Sequence, residues 1–347
     1  MLSKMRVSVI SGRDLTTEHA EAWRAIQNES PALQSPFYCP EFTMAVAEAN
    51  DKVFVSIIHS AKGEIAGFFP FQQERPRFGK GLEMCDHQGV IALPSFDFDA
   101  VELIRQSGIK SWEFDHLDAA NQMFRRFQLN TFESPSMDIS HGFEAYKASL
   151  GASGKRHIAK AATSARKVQR EVGPLTLVDS SMDSDEMQTM HRWREQKYGS
   201  LPEWSHRALE ILGATRTPRF SGLLSALYAG EKLIAVHFGI RSRTVLHWWF
   251  PAYDPDFSNY APGIQLMLKM AERAPDLGIT KIDLGKGQQD YKRRFHNASD
   301  RVSDGSVDVL SLGNVPRILR RNSVSYIRNT PVLRTLASKA KWILRKG

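Results

Sequence analysis

The stretch that most limits how this chain can fold is residues 245–295. Val245 to Phe250 is a run rich in aromatics, and a polar loop follows that closes on Ala261-Pro262-Gly263. Ile264, Met267, Leu268 and Ala271 then recur at i, i+3, i+4 and i+7, the spacing of one buried helix face. Proline at a first helical position is pre-set for the turn, and the N–H it lacks would be unpaired there anyway. Pro275 and Gly278 stop the helix, residues 280–284 read as a new strand, and Gly285 and Gly287 lead into Asp290-Tyr291-Lys292-Arg293-Arg294-Phe295. Strand, loop, helix and strand form a β-α-β unit whose helix start is suited to an anion.

The rest of the chain repeats one device. Residues 53–59 and 65–72 read as strands around a Lys62-Gly63-Glu64 turn; residues 222–228 and 233–240 do the same around Gly230-Glu231. Each second strand contains Ile-Ala, at Ile65-Ala66 and Ile234-Ala235. At similar depths of two comparable halves, the pair predicts a duplicated domain. Around these lie a strand at 6–10, a helix at 18–28, a helix after Ser35-Pro36-Phe37 and a polar loop at 84–90. Further on come a helix at 98–107, a strand at 111–116 and a helix or loop at 122–130. Between the halves, Ile158, Ala161, Ala162, Ala165 and Val168 share one helical face, and Lys155, Arg156, Lys160, Arg166, Lys167 and Arg170 share the other. Such a face is either a solvated exterior or a rail for phosphate. The expected division is 1–145, 146–310 and a tail, 311–347.

Charge bears on partners only once it is located. The net charge is +8, but nine cations and no acid follow Asp308, so residues 1–308 sum to −1. A neutral body argues against a nucleic-acid partner, which needs a broad basic surface. In the tail, 315–328 and 331–345 each set apolar residues opposite basic ones, the pattern of a helix lying on an anionic membrane, so residues 315–346 are a candidate membrane contact. Two cysteines, Cys39 and Cys85, do not make a disulfide framework and fit a reducing compartment. No apolar run approaches the roughly 18 residues of a membrane span. A cytoplasmic protein is expected, peripheral at the inner face of a membrane.

Familiar catalytic motifs are missing. No HExxH, CxxC or acidic calcium loop supports a metal, and neither GxSxG nor a Walker A loop occurs. Gly285-x-Gly287 follows a strand but lacks the third glycine of a dinucleotide fingerprint. His87, His237 and His247 each read singly as structural.

Residues 245–295 nonetheless resemble the core of GNAT-type N-acyltransferases. With Gly230-Glu231, Ile234-Ala235, His237-Phe238, Trp248, Tyr253-Asp254, Pro262-Gly263, Asp283-Leu284-Gly285, Gly287 and Tyr291-Lys292, the chain is similar to the CelD/BcsL family, itself related to the FemABX aminoacyltransferases. The resemblance extends to Ser35-Pro36-Phe37, Pro40-Glu41-Phe42 and the basic helix after Ser153, so it covers most of 35–300. It implies an α/β (α+β) fold of two tandem GNAT-like acyl-CoA N-acyltransferase domains with mixed sheets, plus C-terminal amphipathic helices. The implied reaction is acetyl transfer from acetyl-CoA, without a metal, to an amino sugar of an exported polysaccharide or its lipid-linked precursor.

The resemblance also implies roles. Pro262, Gly263, Ile264 and Gln265, with Phe250, would hold the donor; a backbone N–H of the preceding strand would polarise its carbonyl. Asp254, Asp283 or His237 would help deprotonate the amine, Tyr291 would serve the leaving thiolate, and Lys292 would neutralise charge. Trp248, Tyr253, Arg156 and Lys160 would contact the acceptor. The usual phosphate loop, Gln/Arg-x-x-Gly-x-Gly/Ala, keeps only Gly263 here, between Tyr260 and Gln265. That leaves a Fem-like transfer from aminoacyl-tRNA, or a degenerate nucleotide- or membrane-binding regulator, as alternatives.

Overall fold

A computed structural model describes residues 5–93, 95–182, 184–287 and 289–309. The basic tail, with its expected helices and membrane contact, lies outside the described residues.

Thirteen strands form one mixed sheet with nine α-helices around it among the described residues. The first half runs β1 (Arg6–Ser11), α1 (Thr17–Glu29), α2 (Pro40–Ala49), β2 (Val53–His59), β3 (Ile65–Arg75), β4 (Phe78–Lys80), β5 (Ile91–Ala92), α3 (Ala100–Gln106), β6 (Ser111–Asp118) and β7 (Gln128–Asp138). After α4 (Phe143–Ser149) and α5 (Ala152–Glu171), the second runs β8 (Leu175–Ser180), α6 (Asp185–Tyr198), α7 (Glu203–Ala214), β9 (Ser221–Ala229), β10 (Lys232–Arg241) and β11 (Val245–Tyr253). It ends with α8 (Pro262–Arg273), β12 (Lys281–Asp283), α9 (Asp290–Phe295) and β13 (Ala298–Asp308).

The sheet order, β1-β2-β3-β4-β6-β13-β7-β12-β11-β10-β9-β8 with β5 on β3, is a palindrome of roles. β4 and β6 are a parallel pair in the first half, as β11 and β12 are in the second. β13 then pairs antiparallel with β6, and β7 pairs antiparallel with β12. Each half therefore gives its last strand to the other, and β7 and β13 meet in the middle over eight residue pairs. The two hairpins occupy matching places, β2–β3 and β9–β10. A tandem GNAT-like α/β fold is what this describes.

Three details differ from the sequence reading. Residues 122–130 are not a helix running to Asn130: a 3-10 turn ends at Phe127 and β7 starts at Gln128. The buried face of α8 is centred on Leu266, Met267, Met270 and Ala271, with Ile264 and Leu268 only half-buried. The strands β7, β8 and β13 and the helices α6 and α7 were not anticipated.

One apolar core joins the halves. Phe37, Phe42 and Val46, on and just before α2, pack with Met190, Leu209 and Leu212 of α6 and α7 and with Phe238 and Phe250 of β10 and β11. Each such side chain contributes about 1.5–3 kcal/mol by leaving water, so this contact fixes one half against the other. Cys39 and Cys85 are both buried free thiols. No helix among the described residues is long and apolar enough to cross a membrane.

Candidate active site

The site begins where two parallel strands part. β11 and β12 pair only across Val245–His247 and Lys281–Asp283, after which β12 ends and β11 runs on to Tyr253. A bulge sharpens the divergence: Phe238 faces Phe250 and Ile240 faces His247, so Trp248 and Trp249 together oppose Gly239. The gap is a cleft of about 370 Å³, walled by Trp248, Pro251 and Tyr253 of β11, Pro262 and Gly263 of α8, and Tyr291. Tyr198, Trp248, Pro251, Gln289 and Tyr291 also line an adjoining compartment of about 220 Å³ that reaches Asp86, Arg194 and Lys292.

The helix start at the cleft is left open. Ala261 caps α8 in the left-handed region (φ 52°, ψ 52°) and offers no side-chain cap, a conformation costing an alanine roughly 1 kcal/mol. Its carbonyl accepts from the N–H groups of Ile264 and Gln265 at 3.0 and 3.1 Å, while the Gly263 N–H has no partner among the described residues. The matching helix of the first half, α3, is closed: the Asp99 carboxylate caps it by accepting from the Glu102 N–H. Of these two matching helices, α8 is the one that presents an uncapped, positively polarised end to a cleft.

Beneath the smaller compartment runs a chain of charged groups. His247 Nε2 bonds Asp86 Oδ2 at 2.8 Å, and its Nδ1 lies 3.5 Å from Asp283 Oδ2. Asp283 Oδ2 also takes His87 Nε2 at 2.6 Å, and Oδ1 accepts from the Gly285 N–H at 2.8 Å and Ser134 Oγ at 3.3 Å. Burial alone would drive His247 neutral, but Asp283 and Asp86 outweigh it and raise its pKa to about 9. Burial likewise pushes both carboxyls up, and their histidine partners more than reverse it: Asp283 is held well below the carboxylate range and Asp86 is lowered too. At neutral pH the centre is an imidazolium between two carboxylates.

This arrangement has a pH signature. The folded pKa of His247, about 9, exceeds its ordinary 6.5, so its contribution is fully present below 6.5 and lost as pH rises through 9. Asp283, shifted the other way, loses its contribution only in acid, below its ordinary 3.8. Thermal melts should therefore show a midpoint that falls between about pH 7 and pH 10. In His247→Gln that fall should disappear; if it persists unchanged, the ion triad is not its source.

The expected site residues divide. Lys292, Tyr291, Trp248, Tyr253, Pro262, Gly263 and Ile264 all line the cleft or its compartment, as does Phe250. Lys292 is buried, with Nζ donating to the carbonyls of Gly285 and Lys286, both at 3.0 Å; burial lowers its pKa, partly offset by Asp86 and Asp283. The Tyr291 phenol is held protonated by burial and then by Tyr198. Asp283 sits under the site at 1% exposure.

Other residues are engaged elsewhere. Gln265 is buried with its side-chain amide on the Ala161 carbonyl of α5. Asp254 caps the 3-10 turn that follows β11 by accepting from the Asp256 N–H. Arg156 and Lys160 are exposed on α5 and line none of the cavities described here. His237 is fully buried, stacked on Trp248 at 3.7 Å, and accepts the Trp249 N–H at Nε2. It is unable to reach an amine in the cleft. The same bond takes the Trp249 amide away from any donor carbonyl.

Residues 155–293 match the family model of the acetyltransferase (GNAT) domain. The chain carries a GNAT acetyltransferase domain and is an acyltransferase. A search of curated protein sequences finds no match. Among solved structures, FemX is similar in fold at 9% identity and a TM-score of 0.57, over 90% of this chain and 99% of that one. The C-terminal domain of a putative lysylphosphatidylglycerol synthetase from Agrobacterium fabrum gives 12% identity and a TM-score of 0.55, over 86% and 95%. A tandem GNAT protein from the clavulanic acid biosynthesis pathway gives 9% and 0.50, over 89% and 99%.

Asp86, Arg194 and Tyr198 line the candidate site without having been singled out in the sequence, and His247, read there as structural, bonds Asp86 beneath it. Asp86 and His247 stand 161 residues apart, and only the contact between the halves brings them together. The one available signal was Asp86-His87 in a polar loop, at the place in the first half where its own parallel strands diverge.

Proposed function

We propose that this acyltransferase moves an acetyl group from acetyl-CoA to the amine of an amino sugar in the synthesis of an envelope or exported polysaccharide. One observation carries the reading: the gap between β11 and β12 joins an uncapped helix start, at Gly263, to a compartment holding Asp86, Tyr291 and Lys292. The cleft suits a thioester donor in kind, with a partnerless N–H for a pyrophosphate and an aromatic strand wall for an extended arm. The sugar acceptor follows the resemblance to the CelD/BcsL family. The same proposal keeps two halves dividing near 145/146 and sets the basic tail against anionic lipid at the cytoplasmic face.

The donor supplies an activated carbonyl carbon; the chain supplies charge and position. Nitrogen attack forms the C–N bond and breaks C–S, with positive charge growing on nitrogen and negative charge on sulfur. Asp86, ionised and at the compartment wall, stabilises the growing ammonium. Its lowered pKa makes it a poor proton sink, so the amine proton leaves to water. Tyr291, kept as a neutral phenol, donates its proton to the departing sulfur and takes one back from water, which balances the proton released by the amine. Lys292 fixes the turn at Gly285 and Lys286 and adds positive charge beside the compartment.

The test is titration of the purified protein with acetyl-CoA, followed by thiol release with amino-sugar acceptors. Absence of both binding and release would sink the acetyl-transfer reading. Lys292→Ala should lower turnover tenfold or more; an unchanged rate would leave Lys292 a packing residue. One observation favours a second reading, a Fem-like transfer of an aminoacyl group. Of the usual phosphate loop only the Gly263 N–H is free, because Gln265 is spent on α5 and the Tyr260 hydroxyl on Glu171. Acyl transfer that needs charged tRNA, with no response to acetyl-CoA, would select it.

A further inference from the structure

At the far end of the Asp86–His247–Asp283–His87 chain lies a second cavity, of about 940 Å³, with His87 and Asp283 in its wall. It is built from the segment before α2, the turn after β6 and strands β12 and β13, so both halves contribute. Its acids are already engaged. Asp300 pairs with Lys281, Asp283 with the two histidines, and Asp118 Oδ1 accepts the Ala120 N–H. Its arginines are not: the exposed side chains of Arg125 and Arg301 have no ion pair or hydrogen bond among the described residues.

Two buried residues in the wall carry a polar atom without a partner among the described residues, and of these atoms Ser35 Oγ is itself closed off from solvent. Ser35 is 8% exposed and its Oγ makes no hydrogen bond. The His87 side chain is 8% exposed and is bonded only through Nε2, leaving Nδ1 without a partner among the described residues. A buried polar group left unmatched costs about 1–3 kcal/mol, so such groups are ordinarily met by solvent or a ligand. Free guanidinium forks match the oxygens of a phosphate, and a hydroxyl and an imidazole nitrogen match the hydroxyls of a sugar. The volume is in the range of small-molecule sites.

We propose that this cavity is a second binding site, taking a phosphorylated sugar whose phosphate is held by Arg125 and Arg301 and whose hydroxyls meet Ser35 and His87. The site lies outside the acyl cleft and needs no turnover, so its failure would leave the acyltransferase reading untouched. Calorimetric titration of the full chain with glucose 6-phosphate, inorganic phosphate and glucose tests it. Saturable binding of glucose 6-phosphate with a Kd near or below ~1 mM, tighter than inorganic phosphate and with no response to glucose, is expected. Arg125→Glu with Arg301→Glu should weaken that binding at least tenfold at an unchanged melting temperature, since both side chains are exposed. Ser35→Ala should weaken glucose 6-phosphate but leave inorganic phosphate unaffected. No binding of the sugar phosphate, or binding undiminished in the double arginine variant, overturns the site. Equal affinity for inorganic phosphate overturns the sugar part of it.

Discussion

Asp86→Asn should cut acyl transfer by a hundredfold or more while leaving the folded protein nearly as stable. The amide keeps an oxygen to accept from His247 Nε2, so the buried end of the network survives; the charge facing the compartment does not. Removing one preorganised electrostatic partner of a transition state typically costs 10²–10³ in rate. The loss should appear in kcat, because the charge on nitrogen develops only as the bond forms. Turnover and thermal melts on the same preparation check both halves of the statement. A variant that is fully active would remove Asp86 from the chemistry.

Asp283→Ala is expected to act in the opposite sense, through folding. It removes the partner of His87 and one of the two carboxylates on His247, and strands the Gly285 N–H and the Ser134 hydroxyl. Breaking a buried ion pair from one side costs about 3–5 kcal/mol because the remaining charge is left uncompensated. His247 should respond by losing its proton, so the variant's stability should no longer fall toward pH 9. Chemical denaturation at pH 6 and pH 9 measures both effects. A loss under about 1 kcal/mol would mean that the triad is not the buried charge centre described above.

How far the sequence could be read follows from where its signals are local. The hairpins have near-continuous apolar runs and glycine turns, so residues 53–59 were found to the residue and 65–72 stopped three residues short of the end of β3. The β-α-β unit carried its own punctuation and is present as β11, α8 and β12. β7 and β13 had no such signal. β7 contains Pro135, a residue that argues against a central strand, and β13 reads Ala-Ser-Asp-Arg-Val-Ser-Asp-Gly with few apolar side chains. Both are strands because neighbours on either side demand it, which is a tertiary fact. The site shows the same limit. Gly263 and Lys292 stand in a local pattern, whereas Asp86 acquires its meaning only from a histidine on the other half.

The exchanged strands also set a schedule for synthesis. The first half completes its sheet only when β13, residues 298–308, slots between β6 and β7. Until then its β6 edge is bare, and β7 must pair with β12 from 143 or more residues downstream. A nascent chain on the ribosome thus holds an open edge through most of its own translation, with long-range pairings that form slowly. Exposed edges recruit other strands. Chaperone dependence in the cell, and poor recovery of either half expressed by itself, are the consequences this topology carries.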